Sequence, residues 1–376
     1  MDISFKFDPE ILIGADTLSM AGTVASRHGN RIIVAADRGL DKQTVGRLKE
    51  ILKDSGIEAI VFDGIEEESP VDMAEHIVKL SCAAHCDAIV GFGGRKTQTI
   101  ARMAAIMAPL KIPVFELLDG RPFQKKYLPL IAIPTEGLDA FSLTEFFIAA
   151  DPRNRLIKYI QSPGSLYAAV IVDSVLFNFL SGDSAPAFVF DGYFSAIEAY
   201  CSSKANFLSD ALLERALNFY AKLFKSGANG MNADIYAQAS FLTSLGSSAS
   251  SPGVGAALSA AINARFPVTK PLCSAALLPV IAEKLVGARP EKMARAASFL
   301  GNTEKAASVA DAANSAVDGI RRCMQALKVQ SDLKGYNIQL DRATTAVSAA
   351  RNLEFVANSP WTVSEEAVFD IIKGVI

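Results

Sequence analysis

The sequence predicts an α/β domain over residues 1–173 followed by an all-helical domain over residues 174–376. Two observations support this fold class. Short β-rich runs alternate with helical patterns in the first part of the chain, as in a parallel sheet that carries helices on both faces. After about residue 174, long Ala- and Leu-rich helical patterns replace the β-rich runs, which is typical of a helical bundle.

The first domain is predicted element by element from its hydrophobic pattern. Period-2 and continuous apolar runs predict strands, and amphipathic runs predict helices. The predicted strands cover residues 31–37, 57–63, 87–94, 112–118, 127–134, 143–149, 156–161 and 168–173. The predicted helices between the first four strands cover residues 42–55, 70–86 and 97–108.

The second domain is predicted from its longer helical patterns. These cover residues 209–226, 232–245, 254–264, 273–285 and 293–299. The Gly/Ser/Pro-rich stretch at 246–253 is closely flanked by helical patterns, so we interpret it as a helix connector and not as an interdomain linker.

Composition excludes several classes of partner. The chain carries 37 Lys plus Arg against 40 Asp plus Glu, with a formal net charge of -3, and the two signs are interspersed. We therefore expect no nucleic acid partner and no membrane partner. The N-terminus lacks a secretory pattern, and the five cysteines form no CxxC pair, so we expect a cytoplasmic protein with reduced thiols.

The third predicted strand runs into a glycine turn over residues 91–97, which precedes a helix. Gly93 and Gly94 would let the backbone approach a pyrophosphate, and the start of the helix at Thr97 would offer free N–H groups. Arg95 and Lys96 would add cationic donors. The same pattern also fits a tight turn without a ligand, and the sequence leaves these two interpretations evenly balanced.

Asp37 ends the first predicted strand. A carboxylate there can accept hydrogen bonds from an adenosine ribose and would repel a 2′-phosphate, which favours NAD over NADP. The alternative is a turn or helix N-cap aspartate, and position alone favours that alternative.

The positions of the histidines limit the chemistry available to the second domain. The three histidines lie at positions 28, 76 and 85, so the predicted helical domain has none. Imidazole is the commonest zinc ligand and the commonest general acid or base near neutral pH. The remaining polar candidates of the helical domain are Asp191, Ser195, Glu198 and Lys270. The first three would share one helix face, although an ordinary polar face has the same spacing.

Five segments, in order along the chain, resemble motifs of the iron-containing (group III) alcohol dehydrogenase and glycerol dehydrogenase superfamily. They are residues 36–39 (Ala-Asp-Arg-Gly), 61–64 (Val-Phe-Asp-Gly), 93–99, 191–200 (Asp-Gly-Tyr-Phe-Ser-Ala-Ile-Glu-Ala-Tyr) and 358–366. The resemblance implies the dehydroquinate synthase-like fold, with an N-terminal dinucleotide-binding domain and a C-terminal helical domain. It also implies an active site in the cleft between the domains.

The resemblance also implies where a metal would be bound and shows that its ligands have changed. Family members use one Asp and two or three His; in this chain Asp191 matches the Asp, and the four histidine positions of the family motifs hold Ser195, Ala256, Ala260 and Lys270. One anionic ligand does not hold iron or zinc, so we expect no tightly bound metal. We predict that the Lys270 ammonium takes the place of the metal and pairs with Asp191, and that Lys270, Asp191 and Ser195 form the catalytic group.

A second cofactor segment is implied by the family pattern Pro-Thr-x-x-Gly-Thr-Gly-Ser-Glu, which resembles residues 134–142. Pro134 and Thr135 match, Asp139 follows in the same loop, and Thr144 lies just beyond it. The implied cofactor residues are thus these four together with Asp37 and residues 93–97.

The resulting prediction is an NAD- or NADP-dependent oxidoreductase that acts on an alcohol or carbonyl without the usual metal site. The expected partners are a small-molecule substrate and further copies of the chain, as a dimer or larger assembly. The alternative is a pseudoenzyme in which the fold is retained, catalysis is lost, and the cleft binds a nucleotide or metabolite.

Overall fold

The computed structural model describes residues 5–65, 70–121, 126–301 and 306–376. The chain divides into two compact units. The first, here called the sheet unit, comprises Met1–Leu138, Glu145–Pro152 and Lys158–Asn178. The second, here called the helical unit, comprises Asp139–Thr144, Arg153–Ile157 and Phe179–Ile376. The domain boundary placed at residue 174 stays a prediction.

The sheet unit is built on a parallel sheet with the strand order β1-β8-β5-β4-β2-β3. A separate pair is formed by β6 and β7. The strands are β1 (Glu10–Gly14), β2 (Arg31–Asp37), β3 (Glu58–Ile65), β4 (Ala88–Gly93), β5 (Leu130–Pro134), β6 (Phe146–Asp151), β7 (Leu156–Gln161) and β8 (Tyr167–Asp173). Every residue of β4 and β5 is buried, as expected for central parallel strands that helices cover on both faces.

The helices of the sheet unit connect these strands. They are α1 (Ala21–Ala25), α2 (Lys42–Asp54), α3 (Pro70–Ala83), α4 (Arg95–Leu110) and α5 (Val114–Leu118). Nearly all of α4 is buried, from Thr97 to Ala108. This burial fixes the position of its N-terminus against the end of β4, where the glycine turn lies.

The predicted strand at 112–118 is wrong, because this segment contains α5. Pro113 has the extended conformation of a helix N-cap residue, with φ of -63°. Val114, Leu117 and Leu118 are buried at helical spacing. A short apolar run fits either a strand or a helix by its sequence, and this one forms a short helix. The strand that pairs with β4 on the side away from β2 is β5.

Two other strand predictions need correction at their boundaries, and one strand was missed. The strand predicted at 143–149 begins at Phe146, because the preceding loop is held in turns by side-chain hydrogen bonds to its own backbone. The strand predicted at 127–134 begins at Leu130. The strand Glu10–Gly14, which pairs with β8, is short and only partly buried, and its sequence carries little signal.

The helical unit confirms the predicted bundle. Its helices are α6 (Ala185–Cys201), α7 (Phe207–Ser226), α8 (Ala233–Ala249), α9 (Val254–Arg265), α10 (Lys270–Ala288), α11 (Pro290–Phe299), α12 (Val309–Ala326), α13 (Leu340–Arg351) and α14 (Glu365–Lys373). Helix α8 runs four residues past its predicted end, which shortens the connector to α9. Helices α12 to α14 were not predicted individually.

Helix α10 is long and apolar enough, by length and composition, to cross a membrane. Most of its apolar window is buried by neighbouring elements, including α6, α9 and α12, as in the central helix of a bundle. Its apolar character is therefore explained by its packing within the helical unit.

The strand order places the carboxyl ends of β2 and β4 side by side. The chain adds β3 on the outer side of β2, and later adds β5 on the opposite side of β4, so the order of strand addition reverses between β2 and β4. Such a switch point is where open α/β sheets bind ligands. Asp37 ends β2 and Gly93 ends β4, which brings two predicted cofactor residues to this point.

We expect Gly93→Ala to destabilise the sheet unit by about 1–3 kcal/mol. Gly93 has φ of +153°, and an added Cβ would lie 2.6 Å from the Cβ of Asp37. Gly46→Ala is the control, because Gly46 lies within α2 and a Cβ there meets nothing within 4 Å. That change should be neutral or stabilise by about 0.5–1 kcal/mol. Chemical unfolding of the three proteins measures both effects, and equal stabilities would show that position 93 tolerates a side chain.

Candidate active site

The glycine turn is held in shape by side chains on α4. The side-chain amide of Gln98 donates hydrogen bonds to the carbonyl oxygens of Gly91 (2.8 Å) and Gly93 (3.2 Å). At Gly93 a side chain would also meet Thr97 Oγ1 at 2.8 Å, so glycine is needed there. Gln98 was not predicted as part of this site, although its position one turn into the helix would have allowed it.

Asp37 lies directly beside the glycine turn. One carboxylate oxygen accepts a hydrogen bond from the Gly39 N–H at 2.9 Å, and the other accepts one from the Thr97 hydroxyl at 3.4 Å. The first bond is the turn role that the sequence also allowed. The position at the carboxyl end of β2, beside the turn, is the one that ribose binding requires, so the two predicted roles are compatible.

Pro134 and Thr135 reach the same turn from β5. Pro134 pairs in register with Gly93, and the Thr135 N–H donates to the Gly93 carbonyl oxygen at 3.1 Å. Lys96 lies partly exposed in the first turn of α4. The structure thus brings together the predicted cofactor residues of the sheet unit, namely Asp37, Gly93, Gly94, Arg95, Lys96, Thr97, Pro134 and Thr135.

Glu136, which was not predicted as a site residue, lies at the N-terminus of α4. Its Oε2 atom accepts a hydrogen bond from the Arg95 backbone N–H at 3.1 Å and is 3.7 Å from Arg95 Nε. A carboxylate is stabilised at this end of a helix by the free N–H groups and the helix dipole. The residue follows Pro134 and Thr135 directly, so the implied cofactor segment already contained the signal.

Asp139 and Thr144 belong to a loop of the helical unit. The Asp139 carboxylate accepts hydrogen bonds from the Phe141 N–H and the Ser142 hydroxyl, both at 2.9 Å. The Thr144 hydroxyl donates to the Phe141 carbonyl oxygen at 3.0 Å. These bonds shape the loop itself, and the cofactor role of both residues stays a prediction.

The predicted ion pair between Lys270 and Asp191 is present. Lys270 Nζ lies 2.8 Å from Asp191 Oδ1, and the two side chains are only 12% and 6% exposed. The Ser274 hydroxyl donates to the same carboxylate oxygen at 2.5 Å. Ser274 lies one helical turn after Lys270, so the i, i+4 spacing in the sequence could have identified it.

The local sequence explains how these side chains meet. Asp191 lies in the first half of α6, a helix whose residues are almost all buried. Lys270 is the first residue of α10, and Pro271 follows it. The first turn of a helix tolerates proline, because its N–H groups have no partner within the helix. Helices α6 and α10 pack against each other. Ser195 is buried one turn after Asp191 on the same helix, and its catalytic role stays a prediction.

Glu198 is the second buried carboxyl group of α6. Its two oxygens accept hydrogen bonds from the Gly255 N–H (2.7 Å) and the Ala256 N–H (2.8 Å) at the N-terminus of α9. Burial raises the pKa of Glu198 to about 7, although these two bonds and the Lys270 charge act in the opposite direction. Gly255 is required for this contact, because a Cβ there would lie 2.1 Å from the Phe194 ring and 3.0 Å from Glu198 Oε1.

The residues around Asp191 do not fit an iron or zinc ion. Within the described residues, no group of three or more His, Cys, Asp or Glu side chains is arranged to hold a metal. The positions matched to the family's histidines hold Ala256 and Ala260, which offer no donor, Ser195, which offers only a neutral hydroxyl, and Lys270, which carries a positive charge. Asp191 Oδ1 already accepts bonds from an ammonium and a hydroxyl. Affinity for these metals requires several converging anionic or imidazole ligands.

Comparison with family models identifies the chain. Residues 8–174 match the model described as iron-containing alcohol dehydrogenase, and residues 190–376 match the C-terminal model of the same family. The chain belongs to the iron-containing alcohol dehydrogenase family. The predicted fold class and oxidoreductase class are thereby confirmed.

Relatives and solved structures agree with this assignment. The chain is 25% identical to sulfoacetaldehyde reductase of Bilophila wadsworthia over 365 residues, or 94% of each chain. A crystal structure of 1,3-propanediol oxidoreductase shares the fold with a TM-score of 0.91 and 22% identity over 99% of each chain. Sulfoacetaldehyde reductase from Bifidobacterium kashiwanohense, solved in complex with NAD+, has a TM-score of 0.83 and 16% identity over 99% of this chain and 98% of that one.

We expect the raised pKa of Glu198 to make stability depend on pH. The folded state holds this proton up to about pH 7, whereas the unfolded carboxyl releases it near 4.5. The stabilisation is therefore complete below about pH 4.5 and is lost as pH rises through about 7, with a slope of up to about 1.4 kcal/mol per pH unit.

Glu198→Gln should remove this dependence, because glutamine does not titrate. The free energy of unfolding of the native protein, minus that of the variant, should fall between pH 5 and 7 and be flat above pH 8. Glu291→Gln, at an exposed position of α11, is the control and should follow the native protein. A difference that is constant across this range would contradict the assignment.

We expect Lys270→Met to destabilise the helical unit by roughly 3 kcal/mol, because it leaves the Asp191 carboxylate buried without its cation. In the double variant Asp191→Asn/Lys270→Met the buried charge is gone, and most of the loss should be recovered. Urea unfolding of the native, single and double variants measures this. If the double variant is no more stable than Lys270→Met, the ion pair does not constrain the helices.

Proposed function

We propose that the protein is an NAD(H)-dependent oxidoreductase that interconverts an alcohol and its carbonyl compound without a resident metal. The observation that carries this proposal is the Lys270–Asp191 ion pair at the positions where the family binds its metal. A buried ammonium offers positive charge and hydrogen-bond donors, which are the two properties that a reacting carbonyl oxygen requires.

In the reduction, the Lys270 ammonium would donate a hydrogen bond to the carbonyl oxygen of the substrate. A bound nicotinamide would supply the hydride that adds to the carbonyl carbon. Lys270 would then give its proton to the forming alkoxide, and solvent would return a proton to the amine, since the side chain is not fully buried. The oxidation of the alcohol follows the same steps in reverse.

Asp191 and Ser274 would act as positioning residues for Lys270. The Asp191 carboxylate accepts a hydrogen bond from the Lys270 ammonium at 2.8 Å, and the Ser274 hydroxyl donates a hydrogen bond to the same carboxylate oxygen. Because both contacts are buried, the ammonium is fixed before substrate binds, which lowers the cost of orienting it. Ser195, buried one turn after Asp191 on α6, would offer a hydroxyl for a second bond to the substrate.

The cofactor proposal rests on the switch point of the sheet. Asp37 would bind the ribose hydroxyls, and the glycine turn would bind the pyrophosphate through the start of α4. A carboxylate at Asp37 favours NAD over NADP. The NAD+ complex named for a protein of the same fold supports this choice.

Dinucleotide and metal binding can be tested together. We expect the native protein, purified without a His tag, to bind NADH more tightly than NADPH in a fluorescence titration. We expect less than about one tenth of an equivalent of iron or zinc by elemental analysis. Stoichiometric metal at Asp191 would overturn the metal-free proposal, whereas absence of dinucleotide binding would favour the alternative of a binding protein that has lost catalysis.

Turnover of Lys270 variants tests the catalytic role. On an aldehyde that the native protein reduces, chosen from a panel that includes sulfoacetaldehyde and 3-hydroxypropionaldehyde, we expect Lys270→Met to lower kcat by about 100-fold or more. The double variant Asp191→Asn/Lys270→Met should be equally slow although its stability is recovered. Ser274→Ala, which keeps the ion pair, should lose far less activity. Native turnover in the double variant would exclude Lys270 from the chemistry.

A further inference from the structure

The N-terminus of α4 is already in contact with an anion from the chain itself. The Glu136 carboxylate accepts the Arg95 N–H at 3.1 Å and lies 3.7 Å from the Arg95 guanidinium Nε. All three groups belong to the sheet unit, and the contact spans 41 residues of sequence. The carboxylate therefore makes the kind of contact that a phosphate oxygen makes at a helix N-terminus.

Gly94 shows how closely this carboxylate approaches the backbone. A Cβ added at Gly94 would lie between 2.6 and 2.8 Å from the carboxylate atoms of Glu136. The glycine that would let a pyrophosphate approach the turn thus admits the Glu136 side chain instead. The carboxylate and a pyrophosphate cannot both fill the space in front of this residue.

We propose that Glu136 is an internal competitor of the dinucleotide pyrophosphate, displaced each time the cofactor binds. This inference rests on the proposed use of NAD(H). The Glu136 side chain is 33% exposed, so it has access to solvent and can move away without unfolding the loop. Once it has moved, the Arg95 guanidinium can pair with the phosphates.

The competition has two consequences. The apparent affinity for the cofactor is lowered by the fraction of molecules in which Glu136 covers the helix N-terminus. The displaced carboxylate also stays close enough to repel the bound pyrophosphate, because both are anions, and this repulsion speeds release. Glu136 thus determines how tightly the cofactor is held and has no part in the hydride transfer.

The experiment compares the native protein with Glu136→Gln and a matched control. Glutamine keeps the size of the side chain and removes its charge. Glu50→Gln makes the same change in net charge at an exposed position of α2. We expect Glu136→Gln to bind NADH about tenfold more tightly and to release it more slowly in stopped-flow measurements, and Glu50→Gln to match the native protein.

Adenosine, which has no phosphate, serves as the second probe. It should bind equally to the native protein and to Glu136→Gln, because only the pyrophosphate competes with the carboxylate. An equal gain for adenosine and NADH would mean a general loosening of the site and would overturn the inference. Glu136→Ala repeats the test in case glutamine keeps the contact with Arg95, and unfolding midpoints identify any variant that fails to fold.

The outcomes separate this inference from the proposed function. If the native protein binds NADH and neither Glu136 variant binds it more tightly, the inference fails and the proposed function stands. If only the Glu136 variants bind NADH, the inference stands and the proposed use of NAD(H) by the native protein fails. If none of the proteins binds NADH, both fail.

Discussion

The charge of Asp191 is the constraint on which the helical unit most depends. Its carboxylate lies within an almost fully buried helix, where an uncompensated charge would cost several kcal/mol. The Lys270 ammonium supplies the compensating charge at 2.8 Å, and α6 is thereby tied to the first residue of α10. The ion pair thus links two helices that pack against each other.

Helix α6 carries a second carboxyl group that is stabilised in a different way. Glu198 binds backbone N–H groups at the start of α9, and burial keeps its pKa near neutrality. Glu136 makes a related contact at the start of α4 in the sheet unit. In both places a chain carboxylate satisfies the exposed donors of a helix N-terminus, which is a position where a bound ligand would otherwise be favoured. Occupied helix ends are therefore a recurring feature of this chain.

Much of the chemistry could be predicted from individual residues. The pairing of Lys270 with Asp191 was predicted from matched family positions and charge, and it is present. The glycine turn and Asp37 were located from their place at strand ends, but the sequence also allowed ligand-free turns there, and their cofactor roles stay predictions. Ser274 and Glu136 were missed. Glu136 follows Thr135 directly, and Ser274 lies one helical turn after Lys270, but hydroxyls and carboxylates are common on surfaces, and only the hydrogen bond to a specific partner marks these two.

The sequence by itself determined the alternation of strands and helices that builds the parallel sheet, the helical second half and the lack of imidazole in it, because hydrophobic periodicity and composition are local properties. The tertiary structure decided which short apolar runs became strands. It made 114–118 a helix and gave the place beside β4 to Leu130–Pro134. It also decided which further polar groups meet, namely Glu136 with Arg95 across 41 residues of chain and Ser274 with Asp191 across 83. Such contacts depend on the packing of whole elements, which no local pattern encodes.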